Sequence, residues 1–205
     1  IPTKSTPVIT ALALAGSELF TGGTFYDLNN GGTVLPQADY IARWNTGTSA
    51  WSSLGTAANG ALVNGYTGSR VNAIAVVGTA VYVGGFFSNI SNHGINIPEA
   101  DYIAKWDGSN WSALGSNGAG NGALFNRVEA LAVNGTDLYV GGAFINVNNN
   151  GVMLPTADYI AKWDTLSESW SALGSNGAGN GALPSGSVVA ALAFNGSTLI
   201  VGGGF

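Results

Sequence analysis

No cysteine occurs in the 205 residues, which excludes disulfides and thiolate metal sites. Charge is nearly as scarce, since Asp, Glu, Lys and Arg together make up only 8% of the chain. The surface must therefore be built from Ser, Thr, Asn and Gly. Six Lys and Arg lie scattered against eleven Asp and Glu, for a net charge of -5. Nucleic-acid grooves need clustered basic residues, so the composition argues against nucleic acid as a partner. One histidine, His93, leaves a copper oxidase with too few ligands. No apolar run approaches the roughly 20 residues of a membrane-spanning helix, so no membrane insertion is expected of this segment. A cysteine-free, charge-poor, Asn/Gly/Thr-rich chain has the composition of secreted or cell-surface repeats, and an extracellular or cell-surface location is the expectation.

Repetition takes the place of everything missing. The first glycine of a Gly-Gly pair recurs at Gly22, Gly84, Gly141 and Gly202, at spacings of 62, 57 and 61 residues. A tyrosine recurs at Tyr40, Tyr102 and Tyr159, and a tryptophan at Trp51, Trp111 and Trp170. The peptide WSALGSNGAGNGAL stands unchanged at 111–124 and 170–183. Duplicated units follow, three complete and one cut short.

Each unit reads as four short strands. The first is ITALAL (9–14), VNAIAV (71–76), VEALAV (128–133) and VAALAF (189–194). A period of two predicts that Val71, Ala73 and Ala75 share one face while Ile74 and Val76 share the other. Both faces are apolar, so both must be covered, and small residues on one side with large ones on the other suit interdigitation between stacked sheets. An Asn-Gly turn at 134–135 leads into the second strand, LYVGG, whose glycines predict a neighbour crowding the backbone. YIAKW supplies the third strand and WSALG the fourth. Four antiparallel strands repeated at about 60 residues predict an all-β protein, a β-propeller of four-stranded blades. Blade boundaries fall near 8–55, 71–115 and 128–174, with a half blade at 188–205. All of 1–205 is then one propeller segment, expected to be a fragment of a longer chain, with strands from another chain as the alternative.

The residues carrying this order are Gly22-Gly23, Phe25, Tyr40, Trp44 and Trp51, then Gly84-Gly85, Phe87, Tyr102, Trp106 and Trp111. In the third unit they are Gly141-Gly142, Phe144, Tyr159, Trp163 and Trp170. Together they resemble the kelch repeat. They resemble more closely the long kelch-like repeats of bacterial secreted proteins and of fungal cortical polarity-marker proteins. The resemblance implies a propeller with the first strand at the central channel and the fourth at the rim. The segment after Gly-Gly is longer than in kelch, and the membrane anchor of the fungal proteins is not present in these residues.

One segment invites a chemical reading. Phe25 to Tyr40, Phe87 to Tyr102 and Phe144 to Tyr159 are each 15 residues apart, whereas the segments between units vary in length. The intervening loop aligns Asp27, Asn89 and Asn146 in one column and Asp39, Asp101 and Asp158 in another. DLNNGG (27–32) and NVNNNG (146–151) partly match the opening of a calcium loop. Asp27, Asp39, Asp101, Asn146 and Asp158 are therefore candidate ligands for a weakly held calcium ion. The glutamate that closes such a loop is missing, replaced by Ala38, Ala100 and Ala157, and no other cofactor is expected. The competing reading is that Asn, Gly and Asp satisfy the loop's own backbone through Asx turns. The tryptophans read as packing between blades, with sugar stacking as the alternative.

No catalytic residue stands out, and an enzyme is not expected. The composition and near-identity of the units point to a non-enzymatic extracellular propeller, a structural or adhesive module of a surface or filament-forming protein. Its partners would be other protein chains or further parts of its own chain. A lectin-like propeller with one glycan site per blade is the alternative, and a hydrolase using acidic residues of the loop face comes third.

Overall fold

The computed structural model describes residues 7–55, 60–62 and 68–205, and all regular structure among them is β. Sheet one contains β1 (Ile9–Ala15), β2 (Glu18–Gly23), β5 (Ile41–Asn45) and β6 (Ala50–Ser52), hydrogen-bonded antiparallel in that order. Between its second and third strands stands a hairpin of β3 (Leu28–Asn30) and β4 (Thr33–Leu35). Sheet two repeats the plan with β7 (Arg70–Val77), β8 (Ala80–Phe86), β11 (Ile103–Trp106) and β12 (Trp111–Ser112), and with the hairpin β9 (Ile90–Asn92) and β10 (Ile95–Ile97). Sheet three consists of β13 (Val128–Asn134), β14 (Asp137–Gly142), β17 (Ile160–Asp164) and β18 (Ser169–Ala172), with the hairpin β15 (Val147–Asn149) and β16 (Val152–Leu154). The chain ends in a two-stranded sheet of β19 (Val188–Asn195) and β20 (Thr198–Gly204).

The four first strands lie side by side, β1 against β7, β7 against β13 and β13 against β19. The core accordingly sits between sheets. Ala11, Phe20, Ile41 and Leu54 of sheet one close on Val71, Val81, Val83, Trp106 and Trp111 of sheet two. Tyr82, Ile103 and Leu114 meet Val128, Leu138, Val140, Trp163 and Trp170 in the same way. Tryptophans of the third and fourth strands face each other across the ladder, Trp44 with Trp51, Trp106 with Trp111 and Trp163 with Trp170, at ring-centroid distances of 5.2, 5.3 and 5.2 Å. Such aromatic pairs add about 0.5–1.5 kcal/mol beyond their buried area.

The strict alternation expected for the first strand does not hold. A β-bulge falls between Ile9 and Ala11, Val71 and Ala73, Val128 and Ala130, and Val189 and Ala191. Two residues on the bulged strand oppose one on its partner, so the side-chain parity reverses there. Val71 therefore leaves the alanine face and joins Ile74 and Val76 against sheet one. Ala75 faces sheet three.

The bulge also explains both glycines of each pair. A Cβ on Gly22 would lie 2.9 Å from the Cβ of Val71, and one on Gly84 or Gly141 would lie 3.0 Å from that of Val128 or Val189. The first glycine is thus the notch into which the next sheet inserts its valine. A Cβ on Gly23, Gly85 or Gly142 would overlap the carbonyl oxygen of Val8, Arg70 or Arg127, which the same sheet's bulge turns inward. One glycine admits a neighbouring sheet, and the other admits the bulge of its own.

Candidate functional site

The Asn-rich segment is a β-hairpin where the sequence suggests a loop. Its strands have only three residues each, and Asn30 pairs with Thr33, Asn92 with Ile95 and Asn149 with Val152. The two residues between them have positive φ in every copy: Gly31 and Gly32 at 60° and 96°, His93 and Gly94 at 51° and 88°, Asn150 and Gly151 at 52° and 94°. Two successive positive φ angles make a type I′ turn, which favours Gly and Asn and matches the strand twist. Asn29 Oδ1 accepts the Gly32 amide at 2.7 Å, and Asn148 Oδ1 accepts that of Gly151 at 2.7 Å. His93 stands at the tip, with Nε2 2.8 Å from the Ser109 carbonyl oxygen.

A second asparagine column fastens the hairpin to the outermost strand. Asn30, Asn92 and Asn149 each take the backbone amide of the fourth-strand tryptophan on Oδ1, from Trp51 at 3.3 Å, Trp111 at 3.0 Å and Trp170 at 3.2 Å. Trp111 and Trp170 reach further with their indoles. Their Nε1 groups donate to the carbonyls of Leu54 and Leu114 in the preceding sheet, at 2.9 and 2.8 Å, with both side chains buried.

The aspartate column acts on backbone in the same manner. Asp39, Asp101 and Asp158 accept the amides of Asp27, Asn89 and Asn146 on Oδ1, at 2.8, 2.9 and 2.8 Å. Those three donors hold positive φ of 52°, 56° and 52°. The second carboxylate oxygen reaches forward into the connecting segment, to the Gly122 amide from Asp101 at 3.3 Å and the Gly181 amide from Asp158 at 3.0 Å. Gly60 abuts Asp39 at the corresponding place.

The next residue reverses the chain. Tyr40, Tyr102 and Tyr159 precede the third strand instead of opening it, with φ of 61°, 62° and 63°, a region few non-glycine residues enter. Each is clamped at both ends: the tyrosine amide donates to Phe25, Phe87 or Phe144, and its carbonyl accepts from Gly23, Gly85 or Gly142. Burial, and then the charge of Asp39, push the Tyr40 phenol above its ordinary pKa. Ala38, Ala100 and Ala157 are wholly buried beneath this turn.

The five candidate calcium ligands therefore fall at three separate places. Asp27 and Asp39 meet at sheet one, Asp101 stands with Asn89 at sheet two, and Asn146 meets Asp158 at sheet three. Among the described residues no three His, Cys, Asp or Glu side chains converge. The asparagine clasp to the tryptophan amide leaves one mark in the sequence, the recurrence of Asn30, Asn92 and Asn149 in register.

Two clefts among the described residues bear on this framework. One, of about 380 Å³, lies beside Asp158 in sheet three and is lined by Asn146, Tyr159, Asn176, Asn180 and Leu183. The Tyr159 hydroxyl on its wall accepts the Gly186 amide at 2.8 Å. The other, of about 550 Å³, lies between sheets one and two, against Leu14, Glu18, Phe20, Arg43 and Trp106. Glu18 Oε1 accepts from Asn45 Nδ2 at 2.5 Å.

No family model and no curated protein matches the chain. Among solved structures it is similar to the computationally designed Ika4 protein, with a TM-score of 0.48 and 16% identity over 97% of this chain and 87% of that one. It is also similar to the computationally designed Ika8 protein, with a TM-score of 0.44 and 17% identity over 98% of this chain. The match spans 44% of the length of Ika8.

Proposed function

We propose that the chain is a run of β-propeller blades acting as a non-enzymatic structural or adhesive module outside the cell. The side-by-side course of β1, β7, β13 and β19 supports the propeller reading, because each step between sheets uses the same valine-into-glycine contact. One observation carries the functional reading. The polar columns that the sequence offers for chemistry are committed to backbone amides, in equivalent positions from unit to unit. An active site makes at least one blade unlike its siblings, and these three keep one plan. Partners are other protein chains, or further repeats of its own chain, met through sheet faces and edges; neither nucleic acid nor membrane insertion enters this reading. The extracellular or cell-surface location rests on the charge-poor, cysteine-free composition. A glycan array together with calorimetry tests it: no saturable binding of soluble saccharides is expected, and a stoichiometric heat would overturn the purely structural role.

The cleft beside Asp158 favours a second reading, a glycan site, because amide and phenol groups there stand beside apolar Leu183 and Pro184. Under that reading Asn180→Ala abolishes the calorimetric signal while the melting temperature holds.

A further inference from the structure

Eight Asn-Gly pairs lie wholly within the described residues. Glycine after asparagine is the sequence in which a chain most readily attacks its own side chain. With no Cβ on the following residue, its amide nitrogen can approach the asparagine carboxamide carbon unhindered. Ring closure needs that nitrogen and that carboxamide both free to move, so a hydrogen bond on either one slows it.

Six of the eight pairs are held. Asn30 is fastened to Trp51, with Oδ1 taking the backbone amide at 3.3 Å and Nδ2 donating to the carbonyl at 3.4 Å. Asn150 Oδ1 accepts the Ser116 amide at 3.0 Å, and the Gly151 amide donates to Asn148. Asn117 Oδ1 takes the amides of Ala119 and Asn121, and the Gly118 amide donates to Ser116 Oγ at 3.2 Å. Asn176 and Gly177 repeat that arrangement one unit on. After Asn121 and Asn180, the amides of Gly122 and Gly181 donate to the carboxylates of Asp101 and Asp158, at 3.3 and 3.0 Å.

Asn134-Gly135 is different. Asn134 ends β13 and pairs with Asp137 across a two-residue turn, and residues 134–136 are all exposed. Among the described residues nothing is hydrogen-bonded to its carboxamide or to the Gly135 amide. Sheets one and two have Ala15 and Val77 at this place, so the chemistry is absent from them. Asn195-Gly196 takes the same position in the terminal hairpin. Asn134 is the informative one of the two, because β13 has β7 on one side and β19 on the other.

We propose that Asn134 is a site of spontaneous covalent modification, closing on Gly135 to a cyclic imide. The Gly135 nitrogen bonds to the side-chain carbonyl carbon, the carboxamide C–N bond breaks, and the nitrogen's proton leaves with the amine as ammonia. Water then opens the ring, giving aspartate when the side-chain carbonyl is released and isoaspartate when the main-chain carbonyl is. Either product adds a carboxylate opposite Asp137, the partner of Lys162 at 3.0 Å. Isoaspartate also lengthens the backbone next to a turn of fixed register. The site is independent of both readings of the function.

Peptide mapping by mass spectrometry decides it, on the 205-residue chain incubated at mildly alkaline pH. A urea-unfolded sample gives the rate of each pair without the fold, and native rates are read relative to it. One hydrogen bond that must break first slows closure roughly two- to tenfold. Asn134 is expected to convert in the native chain at close to its unfolded rate, while each held pair falls behind its own by at least that factor. Ser116→Ala removes the oxygen that takes the Gly118 amide, and should speed Asn117 by roughly two- to tenfold with Asn134 unchanged. An Asn134 protected as strongly as the held pairs overturns the proposal. An Asn117 rate indifferent to Ser116→Ala overturns the hydrogen-bond basis on which it stands.

Discussion

At the scale of single residues, side-chain volume decides more than charge. Thr21 occupies a position that is Val83 and Val140 in the other sheets, and its hydroxyl is buried without a hydrogen-bond partner among the described residues. Removing a buried, unsatisfied hydroxyl while keeping the shape is favourable by roughly 1 kcal/mol. Thr21→Val is therefore expected to raise the urea midpoint with an unchanged m-value. The opposite sign is expected at Gly141, where a Cβ would meet the Val189 Cβ at 3.0 Å. Gly141→Ala overpacks that contact and should cost about 1 to 3 kcal/mol, read by the same denaturation. A melting temperature equal to wild type would show that the terminal hairpin yields instead of resisting.

Elements show what sequence can and cannot convey. The main strands are legible because Val, Ile and Leu alternate with small residues and a turn glycine, Gly16, Gly78, Gly135 or Gly196, follows each first strand. Two features are not. The bulge is one residue long and carries Thr10, Asn72, Glu129 or Ala190, so no residue type announces it, yet it reverses the parity of every first strand. The hairpins at 28–35, 90–97 and 147–154 have three-residue strands, shorter than any periodicity window, and their asparagines read as loop. Of the candidate site, the length of the segment was legible and its chemistry was not, because an aspartate holding backbone amides looks in sequence like one holding a cation. The turn between third and fourth strands offers a pH test. The amides of Asn110 and Ser109 hold the Asp107 carboxyl below its usual pKa, and those of Ser167 and Leu166 do so for Asp164. A lowered folded-state pKa gives stability that is present above the unfolded value and lost as pH falls through the folded one. The urea midpoint should thus decline as pH drops below about 4, the ordinary aspartate range. In sheet one Asn45 Oδ1 takes the equivalent amides of Gly47 and Thr48, both at 2.9 Å. Asp107→Asn with Asp164→Asn should then keep the neutral-pH midpoint and flatten its decline in acid; an unaltered acid slope would place the titration elsewhere.

For the whole molecule, the decisive feature is that one kind of joint recurs, so that sheets two and three each insert into the sheet before and receive the sheet after. Stability in such an array approximates a sum of unit and nearest-neighbour terms. The peptide at 111–124 is repeated unchanged at 170–183, and between their starting points lies one full unit. Removal of 111–169 therefore joins the chain to itself with no foreign sequence at the seam. Val189 would then enter the notch of Gly84 in place of Val128, a valine for a valine. The shortened chain is expected to unfold cooperatively, with an m-value reduced in proportion to the surface lost. Whole units can thus be removed at this seam without creating a mismatched joint, so the length of the array can change while the joint stays constant.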